Sequence, residues 1–159
     1  MDFKTADLCD RHEGKFKVLA PLLQHYGGAR AFSGVIATVK VHEDNVLVRS
    51  ALAQAGTGKV LVVDGGGSLR CALAGDLLAQ LALENGWRGI IVYGCIRDSQ
   101  AIAQMPLGML ALNTHPQKSV KKGAGGTNIP VTFGGVTFTP GHYIYADADG
   151  VLVAEKALF

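Results

Sequence analysis

Two short apolar runs, Lys59-Val60-Leu61-Val62-Val63-Asp64 and Gly89-Ile90-Ile91-Val92-Tyr93, bracket a helical stretch and constrain this chain more than any other feature. Neither run alternates apolar with polar residues, so each predicts a strand buried on both faces. Between them Leu77, Leu78, Leu81 and Ala82 share one face of a helix that opens at Asp76 and stops at Gly86. Strand, helix, strand over roughly thirty residues is a βαβ unit, and it predicts two parallel, neighbouring strands. The first strand breaks at Gly65-Gly66-Gly67 and the second at Gly94.

The flanks complete a layered α/β domain. Thr5-Ala6-Asp7-Leu8-Cys9-Asp10 predicts a short helix with Thr5 as its cap. Residues 31–42 alternate like a half-buried strand, and 46–54 carry near-helical apolar spacing that ends at Gly56. Residues 130–133, 136–138, 142–145 and 151–154 predict short strands of antiparallel meanders. Gly134-Gly135, Pro140-Gly141 and Asp147 to Gly150 supply the turns between them. No linker or internal repeat divides residues 1–159, which predicts a single domain.

Composition excludes several functions. A chain of 159 residues that is 48% hydrophobic and 18% charged has the make-up of a folded globular protein. A net charge of +2 is too small for a nucleic-acid footprint, so no direct nucleic-acid partner is expected. The cluster Lys118, Lys121 and Lys122, beside Gly123, Gly125 and Gly126, reads as a solvated, mobile loop. Cys9, Cys71 and Cys95 are scattered and odd in number, and the five histidines lack ligand spacing, which argues against disulfides or zinc. Cys95 reads as a small buried thiol. Asp2, Lys4, Asp7 and Asp10 interrupt any apolar leader, and no run is long enough to span a bilayer. A cytoplasmic, soluble protein with reduced cysteines is expected.

Three segments carry chemistry. The glycines 65–67 suit either a tight turn or close backbone approach, but form neither a P-loop nor a dinucleotide fingerprint. Gly75-Asp76-Leu77-Leu78 opens the helix, where unpaired N–H groups favour a carboxylate or phosphate; Asp76 could equally cap that helix. Arg97-Asp98 follows the second strand and offers a planar fork for a carboxylate and hard oxygen for Mg²⁺ or Mn²⁺; a local ion pair is the alternative. Ligands of parallel α/β sheets sit at strand carboxyl ends, so Asp76, Arg97 and Asp98 are expected to converge on one crevice.

The stretch VVDGGGSLRCALAGDLLAQLALENGWRGIIVYGCIRD resembles the core of the family that contains the regulator of ribonuclease E activity A (RraA) and the class II 4-hydroxy-4-methyl-2-oxoglutarate aldolases. The likeness extends to TADLCD, GGARAFSG, TVKVHEDN and PVTFGGVTFTPGHYIYADADGVLVAE, nearly the whole chain. It implies a swivelling β/β/α domain, RraA-like, assembled as a ring-shaped homotrimer. Catalytic members carry an Asp, twenty residues, then Arg-Asp, which Asp76 and Arg97-Asp98 reproduce.

The implied activity is divalent-metal-dependent cleavage of 4-hydroxy-4-methyl-2-oxoglutarate, and of 4-carboxy-4-hydroxy-2-oxoadipate, to release pyruvate. Oxaloacetate decarboxylation is the implied side reaction. Asp98 would hold Mg²⁺ or Mn²⁺, and Arg97 would stabilise the enolate. Gly75, Asp76, Leu77 and Leu78 would hold substrate, and Asp76 would handle a proton through water. Ala101 stands where the aldolases often have an acidic residue, and His142 where the family usually has Asp after Pro-Gly. The resemblance also implies an alternative, a non-catalytic partner of ribonuclease E. A methyltransferase label is sometimes attached to the family, but no adenosylmethionine-binding feature is present here.

Overall fold

The structure, a computed structural model, describes residues 2–159. Four helices are α1 (Thr5–Arg11), α2 (Val46–Leu52), α3 (Asp76–Glu84) and α4 (Ser99–Ile102). The strands of the first half are β1 (Lys17–Val18), β2 (Gln24–His25), β3 (Phe32–Lys40), β4 (Lys59–Asp64), β5 (Ala72–Ala74) and β6 (Gly89–Ile96). Those of the second half are β7 (Gly108–Thr114), β8 (Gly126–Thr127), β9 (Val131–Phe133), β10 (Val136–Phe138), β11 (Tyr143–Asp147) and β12 (Gly150–Ala154).

The main sheet runs β1-β12-β11-β3-β4-β6-β7-β2, with β5 added beside β6 and β8 beside β3. As the apolar runs predict, β4 and β6 are parallel neighbours, with Val60 opposite Gly89 and Asp64 opposite Tyr93. Both faces are covered, which is why neither strand alternates. Leu61 and Val63 point toward the helices and pack with Val48, Leu52, Ala79 and Ala82. Val60 and Val62 point the other way, toward Phe133 and Phe138 of the β9–β10 hairpin. All four of these β4 side chains are completely buried, and each contributes about 1.5–3 kcal/mol relative to exposure. Helices, sheet and hairpin make a layered α/β architecture.

Phe32 shows how glycine is used inside this sheet. Its ring occupies the space above Gly89 and Gly108, where any Cβ would collide with it. An aromatic ring thus covers two strand starts that have no side chains of their own. Phe32→Ala is expected to cost about 3–5 kcal/mol, read as a lower midpoint in urea unfolding.

Three local expectations change. Thr5 is the first residue inside α1 and does not cap it; its N–H and hydroxyl both donate to the Asp147 carboxylate at 2.7 Å. Gly94 does not end the second strand. β6 continues to Ile96, with its register shifting between Val92 and Cys95, so Gly94 lies within an irregularity and Arg97 follows the true end. Finally, α3 follows β5, a three-residue strand too short to leave a periodic signal, and β5 lies parallel to β6. Among the described residues no helix is long and apolar enough to cross a membrane.

Candidate active site

The parallel pair β5 and β6 delivers Asp76 and Arg97-Asp98 to the same edge of the sheet. The Arg97 N–H donates to the Ala74 carbonyl at 2.9 Å, tying the two strand ends together. Beyond them opens a cavity of about 390 Å³, and Gly75, Asp76, Leu77, Leu78, Arg97 and Asp98 all line it. The helix start and the Arg-Asp pair singled out from the sequence therefore meet in one crevice.

Asp98 has the least ordinary geometry of the group. Its backbone is left-handed, with φ 59° and ψ 39°, a region that aspartate tolerates better than most residues. That turn carries its carboxylate back across to α3, where Oδ2 accepts the Asp76 N–H at 3.0 Å. Gly75 sits at the N-cap of α3, so Asp76 is the first helical residue and not the cap. The capping oxygen comes instead from Asp98 on the neighbouring connection. Gly75 is required for this: a Cβ there would lie 2.5 Å from Asp98 Oδ2 and 3.3 Å from Arg97 Cγ. One expectation narrows as a result. The Asp76 amide is already taken, leaving Leu77 and Leu78 as the first-turn residues that both line the crevice and keep an N–H without a helical partner.

Arg97 is half-buried and tethered by a 3.4 Å hydrogen bond to the Pro116 carbonyl. Both ion pairs among the described residues end on Glu43, so Arg97 and Asp98 do not neutralise each other. Most of the guanidinium donors remain available to an anion. Asp98 and Asp76 suit a hard divalent cation of the Mg²⁺ kind, which keeps several waters and binds through one or two carboxylates plus substrate oxygens. Among the described residues no group of three or more potential metal ligands exists, so any ion held here would complete its shell with water or other oxygens.

The glycines 65–67 stand outside this cavity and serve the turn after β4. Gly66 and Gly67 have φ of 68° and 76°, the N–H groups of Gly65 and Gly67 both donate to the Tyr93 carbonyl, and Gly67 packs on the Tyr93 ring.

Sequence reasoning missed five polar lining residues: Asn45, Arg49, Ser50, Lys118 and Lys121. The lysine cluster reads in sequence as a mobile loop, and its side chains are indeed exposed. Its backbone, however, is fastened. Asp44 is buried, and its Oδ2 accepts the N–H groups of Lys122, Gly123 and Ala124 while Oδ1 accepts that of Val46 at the start of α2. One carboxylate thus fixes both the lysine strap and the helix that carries Arg49. Burial pushes the Asp44 carboxyl up, and the four backbone donors outweigh it and hold it below the usual carboxylate range. Because its folded pKa is depressed, its contribution is complete above the usual carboxylate range and lost as pH falls through the folded value. Asp44→Ala is expected to speed tryptic cleavage at Lys118, Lys121 and Lys122 relative to the native chain. In the native chain, amide exchange of residues 122–124 is expected to lose protection on acidification.

An α/β domain with cations, two carboxylates and a helix start gathered at the ends of parallel strands has the chemistry to receive a small anion. The chain is a member of the RraA-like family (Aldolase/RraA), which it matches over residues 5–153. It is 64% identical to a protein of Aromatoleum aromaticum, over 99% of both chains, which is provisionally named a 4-hydroxy-4-methyl-2-oxoglutarate aldolase. Among solved structures it superposes with a TM-score of 0.96 on a Geobacillus kaustophilus protein, at 56% identity over 98% of this chain and 97% of that one. That structure is described as an S-adenosylmethionine:2-dimethylmenaquinone methyltransferase. A TM-score of 0.94, at 42% identity over 98% and 94% of the two chains, relates it to the RNA-processing inhibitor RraA from Thermus thermophilis.

Proposed function

We propose that this chain is a class II aldolase that cleaves 4-hydroxy-4-methyl-2-oxoglutarate, and 4-carboxy-4-hydroxy-2-oxoadipate, to release pyruvate, and that it decarboxylates oxaloacetate as a side reaction. The observation that carries this reading is the meeting of Arg97, Asp98 and the start of α3 in one crevice. Relatives named as such aldolases over essentially the full chain support the same substrate class.

Asp98 would hold Mg²⁺ or Mn²⁺, with Asp76 near; when bound, the ion supplies Lewis-acid stabilisation of negative charge on a substrate oxygen. The chain's own groups do the rest. The N–H groups of Leu77 and Leu78 hold the 2-oxo acid carboxylate at the positive end of α3. Arg97 donates to the oxygen on which charge develops as the bond breaks. The C4 hydroxyl gives up its proton and becomes a carbonyl. The C3–C4 bond breaks, and its electron pair enters the pyruvate enolate, which then takes a proton at C3. Asp76 orients the water that relays these protons. Leu77, 77% exposed, stands at the mouth of the crevice, where substrate binding would cover it.

A coupled assay for pyruvate release with Mg²⁺ or Mn²⁺ tests this directly. Absence of metal-dependent pyruvate from either 4-hydroxy-4-methyl-2-oxoglutarate or oxaloacetate rejects it. The likeness to an RNA-processing inhibitor favours a second reading, in which an outer surface binds ribonuclease E; capture of that enzyme by the purified chain is its test. A homotrimer is part of either reading, and light scattering checks its mass.

A further inference from the structure

Four cationic side chains line the crevice, and the mechanism above employs one. Arg49 comes from α2, Lys118 and Lys121 from the strap, and Arg97 from the end of β6; only Asp76 and Asp98 oppose them. Among the described residues Arg49, Lys118 and Lys121 have no carboxylate partner, since both ion pairs end on Glu43. Lys121 donates to Asn45 Oδ1 at 2.9 Å, a neutral acceptor that positions the ammonium without cancelling its charge. Asp44 braces both elements that carry these cations. Three like charges held around one cavity repel one another until an anion enters.

We propose that Arg49, Lys118 and Lys121 form a second anion subsite, which takes the far carboxylate of a dicarboxylic 2-oxo acid and selects such dianions over monocarboxylates. This rests on the reading of the crevice as a 2-oxo acid site. The near carboxylate and the 2-oxo group occupy the end formed by α3, Arg97 and Asp98. The opposite wall, from α2 and the strap, then meets whatever lies at the far end of the substrate. A cavity of about 390 Å³ is at the small end of ligand sites and suits an acid of this size. The lining between the two ends includes Val46, Ala72 and Ala74, apolar surface for the carbon chain.

Calorimetric titration of the native protein in Mg²⁺-containing chloride buffer, with pyruvate and with 2-oxoglutarate, tests the subsite. The dicarboxylate is expected to bind roughly tenfold to a hundredfold more tightly, the effect of one or two hydrogen bonds to a charged group. Higher ionic strength narrows the gap, because these side chains are exposed. In the triple variant Arg49→Met, Lys118→Met, Lys121→Met, the preference is expected to fall to about one while pyruvate affinity stays within about twofold. Lys118→Met alone makes a partial version of the same change and guards against misfolding of the triple variant, as among the described residues no hydrogen bond or ion pair depends on that ammonium. Equal affinities in the native protein, or a preference that survives the triple variant, overturn the subsite and leave the aldolase reading intact. Failure of the native protein to bind pyruvate overturns both.

Discussion

Asp98→Ala is expected to lower metal-dependent pyruvate release by about a thousandfold or more, because it removes the proposed anchor for a cation whose charge stabilisation is worth several kcal/mol. The same substitution also strips the oxygen that accepts the Asp76 N–H, and loss of a helix cap costs about 0.5–2 kcal/mol. The two effects are separable. Asp98→Asn keeps an amide oxygen that can accept from Asp76, and asparagine tolerates the left-handed backbone at φ 59°. Its thermal unfolding midpoint is therefore expected near that of the native protein, with pyruvate release still strongly reduced. If Asp98→Asn retains full activity, the carboxylate charge is not what the reaction needs.

Replacing Arg97 comes second in expected size. Arg97→Ala should reduce kcat/KM for pyruvate release by roughly 10²–10³, the usual cost of losing one donor to a developing oxyanion. Arg97→Lys keeps the charge but loses the planar fork, so it should recover only part of that loss. Neither change touches the backbone bond from the Arg97 N–H to the Ala74 carbonyl, so the strand ends should stay joined and the fold intact. A loss confined to KM would mark Arg97 as a ground-state binder; a loss in kcat marks it as acting on the transition state.

Much of this was legible in one dimension. β4 and β6 announce themselves through continuous apolar runs, and α3 through helical apolar spacing, within windows of ten residues or fewer. The break at Gly94 was misread because a glycine that permits a register shift inside a strand looks, in sequence, like one that ends it. β5 was missed because three residues carry no period. In sequence the lysine strap looks like a mobile loop, because its order comes from Asp44, almost eighty positions earlier.

The site divides along the same line. The amino-acid sequence by itself determined that a helix would start at Asp76 and that an Arg-Asp pair would follow a strand of a parallel unit, since burial on two faces and helical spacing are properties of neighbouring residues. Tertiary structure alone decided that the Asp98 carboxylate would cap α3 across twenty-two positions, and that Arg49, Lys118 and Lys121 would join Arg97 around one cavity. Those contacts depend on how strands are ordered in the sheet and on which buried carboxylate gathers which backbone donors, and no local pattern encodes either.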